Sequence, residues 1–70
     1  MNDRQRKIIA YMSGSRGITY YKKLKERFGN IDLEMDMLKN SNLVFEMQND
    51  GRIVYKLTDM GKDSAEKIKN

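Results

Sequence analysis

Cysteine and histidine are both absent from this 70-residue chain. Without cysteine there is no disulfide frame and no thiol nucleophile; without histidine there is no imidazole to ligate zinc or to move protons near neutral pH. The two absences exclude most small metal-stapled folds and most familiar hydrolase sites. No apolar run approaches the ~20 residues that a helix needs to cross a bilayer. The opening MNDRQRKIIA lacks both the long apolar segment and the small-residue cleavage site of a signal peptide. A soluble, intracellular protein is therefore expected, cytoplasmic in location. Length is also in short supply, since 70 residues suffice for one domain only. A chain of this size buries only about 60% of the surface that its unfolded form exposes, so a partner chain would add to a thin stability margin. A homodimer is expected.

Acid is scarce in the first half of the chain. Arg4, Arg6, Lys7, Arg16, Lys22, Lys23, Lys25 and Arg27 face Glu26 alone over residues 4–27, whereas over residues 28–50 Lys39 stands alone against Asp32, Glu34, Asp36, Glu46 and Asp50. The whole chain carries a net charge of +4. Solvated helix faces are often rich in lysine, so no single cation is informative. The block is more telling, because its self-repulsion costs stability that opposing anions such as phosphates would restore.

The apolar pattern predicts four helices and a hairpin. Ile8, Ile9 and Met12 mark a helix over about 4–13, which the run Ser13-Gly14-Ser15-Arg16-Gly17 ends. Thr19 is placed to cap a helix over 20–28, with Tyr21, Leu24 and Phe28 as its stripe and Gly29 as a left-handed stop. Asn30 is placed to cap a third helix over 31–41, whose stripe is Ile31, Met35 and Leu38 and whose first turn holds Asp32 and Glu34. From Leu43 the period changes to two, giving a hairpin over 43–57 around Asn49-Asp50-Gly51. A two-residue loop would set Met47 opposite Val54 and mix the faces. A three-residue loop pairs Met47 with Ile53, Phe45 with Tyr55 and Leu43 with Leu57, and is preferred because every large apolar side chain then shares one face. Thr58 caps a last helix over 59–68, with a short apolar edge of Ala65 and Ile68.

The segment Asn42-Leu43-Val44, the turn Asp50-Gly51-Arg52 and the run Tyr55-Lys56-Leu57-Thr58-Asp59-Met60-Gly61 resemble the end of the winged helix-turn-helix domain of MarR-, PadR- and ArsR-like transcription regulators. Asn42 stands where that family usually has glycine. The resemblance spans nearly the whole chain if Gly17-Ile18-Thr19-Tyr20 opens the first helix of the helix-turn-helix pair. It implies an α+β fold of order α-α-α-β-β-α: one domain over residues 1–70, a three-helix core and a two-stranded antiparallel wing. It further implies sequence-specific binding of double-stranded DNA by a small transcription regulator.

On that template the second helix crosses the phosphate backbone with Lys22, Lys23 and Arg27, helped by Thr19 and Tyr20, while Asn30, Leu33 and Met37 lie on or beside the base-reading helix. Arg52 at the wing tip suits a narrow, negative minor groove. Plain core packing is the stronger role for Tyr21. The exposed face of the third helix is open between two uses. Asp32 and Asp36 suit phosphates poorly, and Leu33 with Met37 fits thymine methyls or a protein partner equally well. A protein-interaction module using this acidic helix is the alternative. Catalysis has no visible apparatus: Asp32 and Asp36 alone share a helical face, and Gly14-Ser15-Arg16-Gly17 lacks the Lys-Ser/Thr of a phosphate loop. No enzyme activity, cofactor, metal or small-molecule ligand is expected, and no membrane partner.

Overall fold

The first helix, α1 (Asp3–Gly14), starts at a reciprocal cap. Asn2 Oδ1 accepts from the Gln5 amide at 2.8 Å, and Gln5 Oε1 accepts from the Asn2 amide at 3.1 Å, so two otherwise orphaned donors are satisfied. It buries Gln5, Ile8, Ile9 and Met12, and it ends where the Gly17 amide reaches back to the Met12 carbonyl at 2.8 Å. The computed structural model describes residues 1–69. It follows α1 with β1 (Ile18–Tyr20), α2 (Tyr21–Phe28), α3 (Asp32–Asn40), β2 (Val44–Asn49), β3 (Arg52–Leu57) and α4 (Asp59–Lys69).

Strand β1 corrects the expected order. The sheet has three antiparallel strands, arranged β1-β3-β2, where a two-stranded wing was expected. Ile18, Thr19 and Tyr20 pair with Lys56, Tyr55 and Val54. Thr19 is thus a strand residue and not the cap of α2; the cap position belongs to Tyr20, whose side chain makes no capping bond. Three residues carry too little periodicity to announce a strand, although β-branched Ile18 and Thr19 suit one.

The hairpin register also differs from the preferred one. Met47 pairs with Val54 and Phe45 with Lys56 around a two-residue Asp50-Gly51 loop. Asp50 and Gly51 have φ of 53° and 75°, the paired left-handed conformation whose twist matches that of the flanking strands. Turn geometry therefore prevails over one-sided apolar patterning. Thr19, Val44, Tyr55 and Leu57 face the helices, and Phe45, Met47, Ile18 and Tyr20 are left 40–44% exposed on the other side.

The helical stripes pack as their spacing predicts. Ile8, Ile9, Met12, Leu24, Ile31, Met35 and Leu38 are all fully buried, with Tyr21, Phe28 and Ile68 half-buried against them. Asn42 turns the chain out of α3 at a φ of 60°; its amide bonds the Lys39 carbonyl, and the Leu43 amide bonds that of Leu38, together satisfying two last-turn carbonyls. Thr58 starts α4 as expected, its Oγ1 accepting from the Gly61 amide at 3.0 Å and donating to the Asn42 carbonyl at 2.6 Å.

Arg4 is a structural clamp. Its Nη2 donates to the carbonyls of Phe28 and Asn30, and its Nε lies 3.2 Å from Glu34, so one guanidinium holds the α2–α3 turn and the first turn of α3 onto α1.

Candidate functional site

The Tyr20–Tyr21 junction passes the chain from strand to helix, and the hairpin tip overhangs it. Asn49 Nδ2 donates to the Tyr20 hydroxyl at 3.1 Å, and the Arg52 guanidinium lies 6.0 Å from the Tyr20 ring centre. Between tip and helix lies a cleft of about 540 Å³ lined by Tyr20, Tyr21, Lys22, Lys23, Glu26, Gly51, Arg52 and Ile53. Lys22, Lys23 and Arg52, distant in sequence, meet there.

The electrostatics of the cleft follow from where α2 begins. The helix has no side-chain cap and no acid in its first turn, and Lys22 and Lys23 occupy that turn. Both cations sit at the positive end of the helix dipole, where carboxylates are normally favoured. Among the described residues neither lysine has an ion-pair partner. Glu26 supplies the one carboxylate of the lining.

An acidic cleft of about 370 Å³ adjoins it, sharing Tyr21 and Ile53 and adding Asp32, Asp36, Lys39, Glu46 and Tyr55. Every acid there is already engaged. Asp32 accepts from the Tyr21 hydroxyl at 2.7 Å, while Lys39 bridges Asp36 at 3.4 Å and Glu46 at 3.2 Å. Glu46 also accepts from the Tyr55 hydroxyl at 3.1 Å. Its hydrogen bond to Glu46 raises the Lys39 pKa, and its hydrogen bond to Asp32 raises that of Tyr21. Burial, and then the Glu46 charge, raises that of Tyr55.

The other expected site residues lie elsewhere. Thr19 is buried on the core side of β1, and its Oγ1 has no hydrogen-bond partner, so its hydroxyl does not reach the cleft surface. Arg27 stacks on the Tyr11 ring at 5.0 Å, in the last turn of α2, away from the cleft. Asn30 is exposed and its Oδ1 accepts from the Asp32 amide at 3.2 Å; it supports the start of α3 from one residue before the cap position, which Ile31 holds. Leu33 and Met37 are exposed on α3 as predicted, and the Met37 sulfur accepts from Gln5 Nε2. They do not line the cleft. Asn49, which secures Tyr20, and Glu46, which gathers Lys39 and Tyr55, are the residues the sequence reading passed over.

Among the described residues there is no group of three or more acidic, cysteine or histidine side chains placed to hold a metal ion. Glu34 is drawn to Arg4, which separates it from Asp32 and Asp36. Among the described residues no helix is long and apolar enough to cross a membrane. No family model, curated protein or solved structure matches the chain.

Proposed function

We propose that this chain binds double-stranded DNA as a small winged-helix transcription regulator, with Lys22, Lys23 and Arg52 gripping phosphates. The observation that carries the reading is their convergence on one cleft without an ion-pair partner among the described residues. Three clustered cations repel one another, and a phosphate backbone relieves that repulsion while releasing its own counterions. The succession of α2, α3 and an adjacent hairpin supports the same reading, since the winged-helix resemblance implies that order. Phosphate contacts supply affinity and register, and Leu33 and Met37 offer apolar contact to thymine methyls. A single module covers roughly 600–1,000 Å² of protein surface on DNA, so a homodimer on two half-sites is the working form.

A mixed-sequence duplex titrated at low and at moderate salt tests this. Affinity should fall steeply with salt, and Lys22→Ala with Lys23→Ala should flatten the slope by about two phosphate contacts. Absence of duplex binding at low salt overturns the reading.

One observation favours a second reading, a protein-interaction module. Leu33 is 68% exposed one turn from Met37, beside the acidic flank of α3. Such a pair is the form a docking anchor takes. Leu33→Glu with Met37→Glu would then abolish partner capture and leave phosphate binding intact.

A further inference from the structure

The observed hairpin register builds a second surface, which meets the cleft at Tyr20 and Arg52 and extends beyond it through Lys56 and Phe45. On the outer face of the sheet, one row runs Ile18, Lys56, Phe45 and the next runs Tyr20, Val54, Met47, with Arg52 and Asn49 beyond. Val54 is buried yet lies outside the main core, so the side chains of this face are what cover it. The face carries two cations and no carboxylate. Lys56 has no ion-pair partner among the described residues and stands between exposed Ile18 and exposed Phe45. Tyr20 is held in place, its hydroxyl bonded to Asn49 and its ring near Arg52.

We propose that this face binds single-stranded nucleic acid, with bases stacking on Tyr20 and Phe45 and phosphates held by Lys56 and Arg52. Exposed aromatic rings beside cations are what an unpaired strand requires, because every base has a stackable face and every linkage a negative charge. Tyr20 and Phe45 sit two strands and one row apart, roughly 12 Å in an ideal sheet. That separation far exceeds the roughly 3.4 Å rise of duplex DNA. The spacing suits a strand whose bases have already come apart. A second copy of this chain fits less well. Face-to-face pairing brings like-charged Lys56 and Arg52 side chains together with no acid between them. The surface shares Arg52 with the duplex site, but Phe45 and Lys56 lie outside the cleft, so substitutions there test strand binding apart from duplex binding.

A fluorescein-labelled oligothymidylate of about 12 nucleotides, long enough for one such site, provides the test by anisotropy at low salt. Phe45→Ala should weaken binding roughly 5- to 150-fold, the range that loss of one stacked base produces, and Lys56→Glu should weaken it further. Lys22→Ala with Lys23→Ala should impair duplex binding more than strand binding, whereas Phe45→Ala should impair strand binding alone. The chain has no tryptophan, so Phe45→Trp places a single indole whose emission the strand should quench saturably. No binding at low salt overturns the proposal, as does wild-type affinity in both Phe45→Ala and Lys56→Glu. Displacement of the strand by polyglutamate with no quenching of Phe45→Trp would instead assign the face to an acidic protein. A dimer in sedimentation that Phe45→Glu dissociates would assign it to a second copy.

Discussion

The Tyr21 hydroxyl donates to Asp32 Oδ1 at 2.7 Å, joining the first residue of α2 to the first residue of α3. The bond keeps a carboxylate next to the basic cleft, since Tyr21 lines both clefts and Asp32 lines the acidic one. Asp32 has a reason to be there, as an acid in the first turn of α3 complements the helix dipole. It also repels any phosphate that approaches Lys22 and Lys23.

Asp32→Asn is therefore expected to move two properties in opposite directions. Stability should fall by about 0.3–1 kcal/mol as the dipole loses its counter-charge. Duplex affinity at low salt should rise several-fold, with the gain vanishing at high salt because it is electrostatic. Urea melts and salt-dependent titrations on one preparation read both. Unchanged duplex affinity would place Asp32 outside the binding surface.

The Arg4 clamp separates stability from binding in the opposite sense. Its guanidinium serves the carbonyls of Phe28 and Asn30 together with the Glu34 carboxylate, a geometry that the ammonium of lysine cannot reproduce. The side chain is 44% exposed, so Arg4→Lys should cost only about 1 kcal/mol and Arg4→Ala about 1–2. Neither should alter the salt slope of duplex binding. A shallower slope in Arg4→Lys would show that Arg4 contacts phosphate as well.

Gly61 allows α4 to begin against the corner at Leu43. A Cβ at this position would overlap the Leu43 backbone carbonyl and crowd Leu57 Cδ2. That carbonyl is fixed by the Thr58 amide at 3.0 Å, and Thr58 Oγ1 is fixed in turn by Asn42 and Gly61. Gly61→Ala should thus destabilise by about 1–3 kcal/mol despite the higher helix propensity of alanine. For a domain of this size each kcal/mol lowers the melting temperature by roughly 4–8 °C. Thermal unfolding by circular dichroism checks it, and a melting temperature at or above that of the wild type would contradict the packing.

How far the sequence reveals this molecule depends on the range of the interactions involved. The helices are legible because Ile8 with Met12 in α1 and Met35 with Leu38 in α3 repeat at helical spacing and are buried where that spacing puts them. Strand β1 is illegible because its pairing with Val54 to Lys56 spans more than 30 residues and leaves no local pattern. The hairpin register departs from the apolar pattern for a different reason. Patterning assigned every apolar residue to one core, whereas the left-handed Asp50-Gly51 turn commits Phe45 and Met47 to the outer face. The cleft was half legible. Charge singled out Lys22 and Lys23, and the turn singled out Arg52, but only the fold brings Asn49 to Tyr20 and buries Thr19.

Tyr55 should make the fold sensitive to alkali. Its side chain is largely buried and its hydroxyl donates to Glu46 at 3.1 Å, and burial, followed by the Glu46 charge, raises its pKa above the ordinary value of 10.0. The neutral phenol is thus the form that folding favours, and its contribution is complete below pH 10 or so. Above that pH the unfolded chain releases the proton while the folded chain retains it, so stability declines as pH rises. Lys39 acts in the same direction, because its raised pKa means that the folded state favours the ammonium held by Glu46 and Asp36. Urea midpoints should stay level from neutral pH to about 9 and then fall through 10 to 11. Tyr55→Phe removes the phenol and should flatten the alkaline decline, while costing about 1 kcal/mol at neutral pH for the lost hydrogen bond. An alkaline decline as steep in Tyr55→Phe as in the wild type would move the titration to another group, with Lys39→Met the next variant to measure.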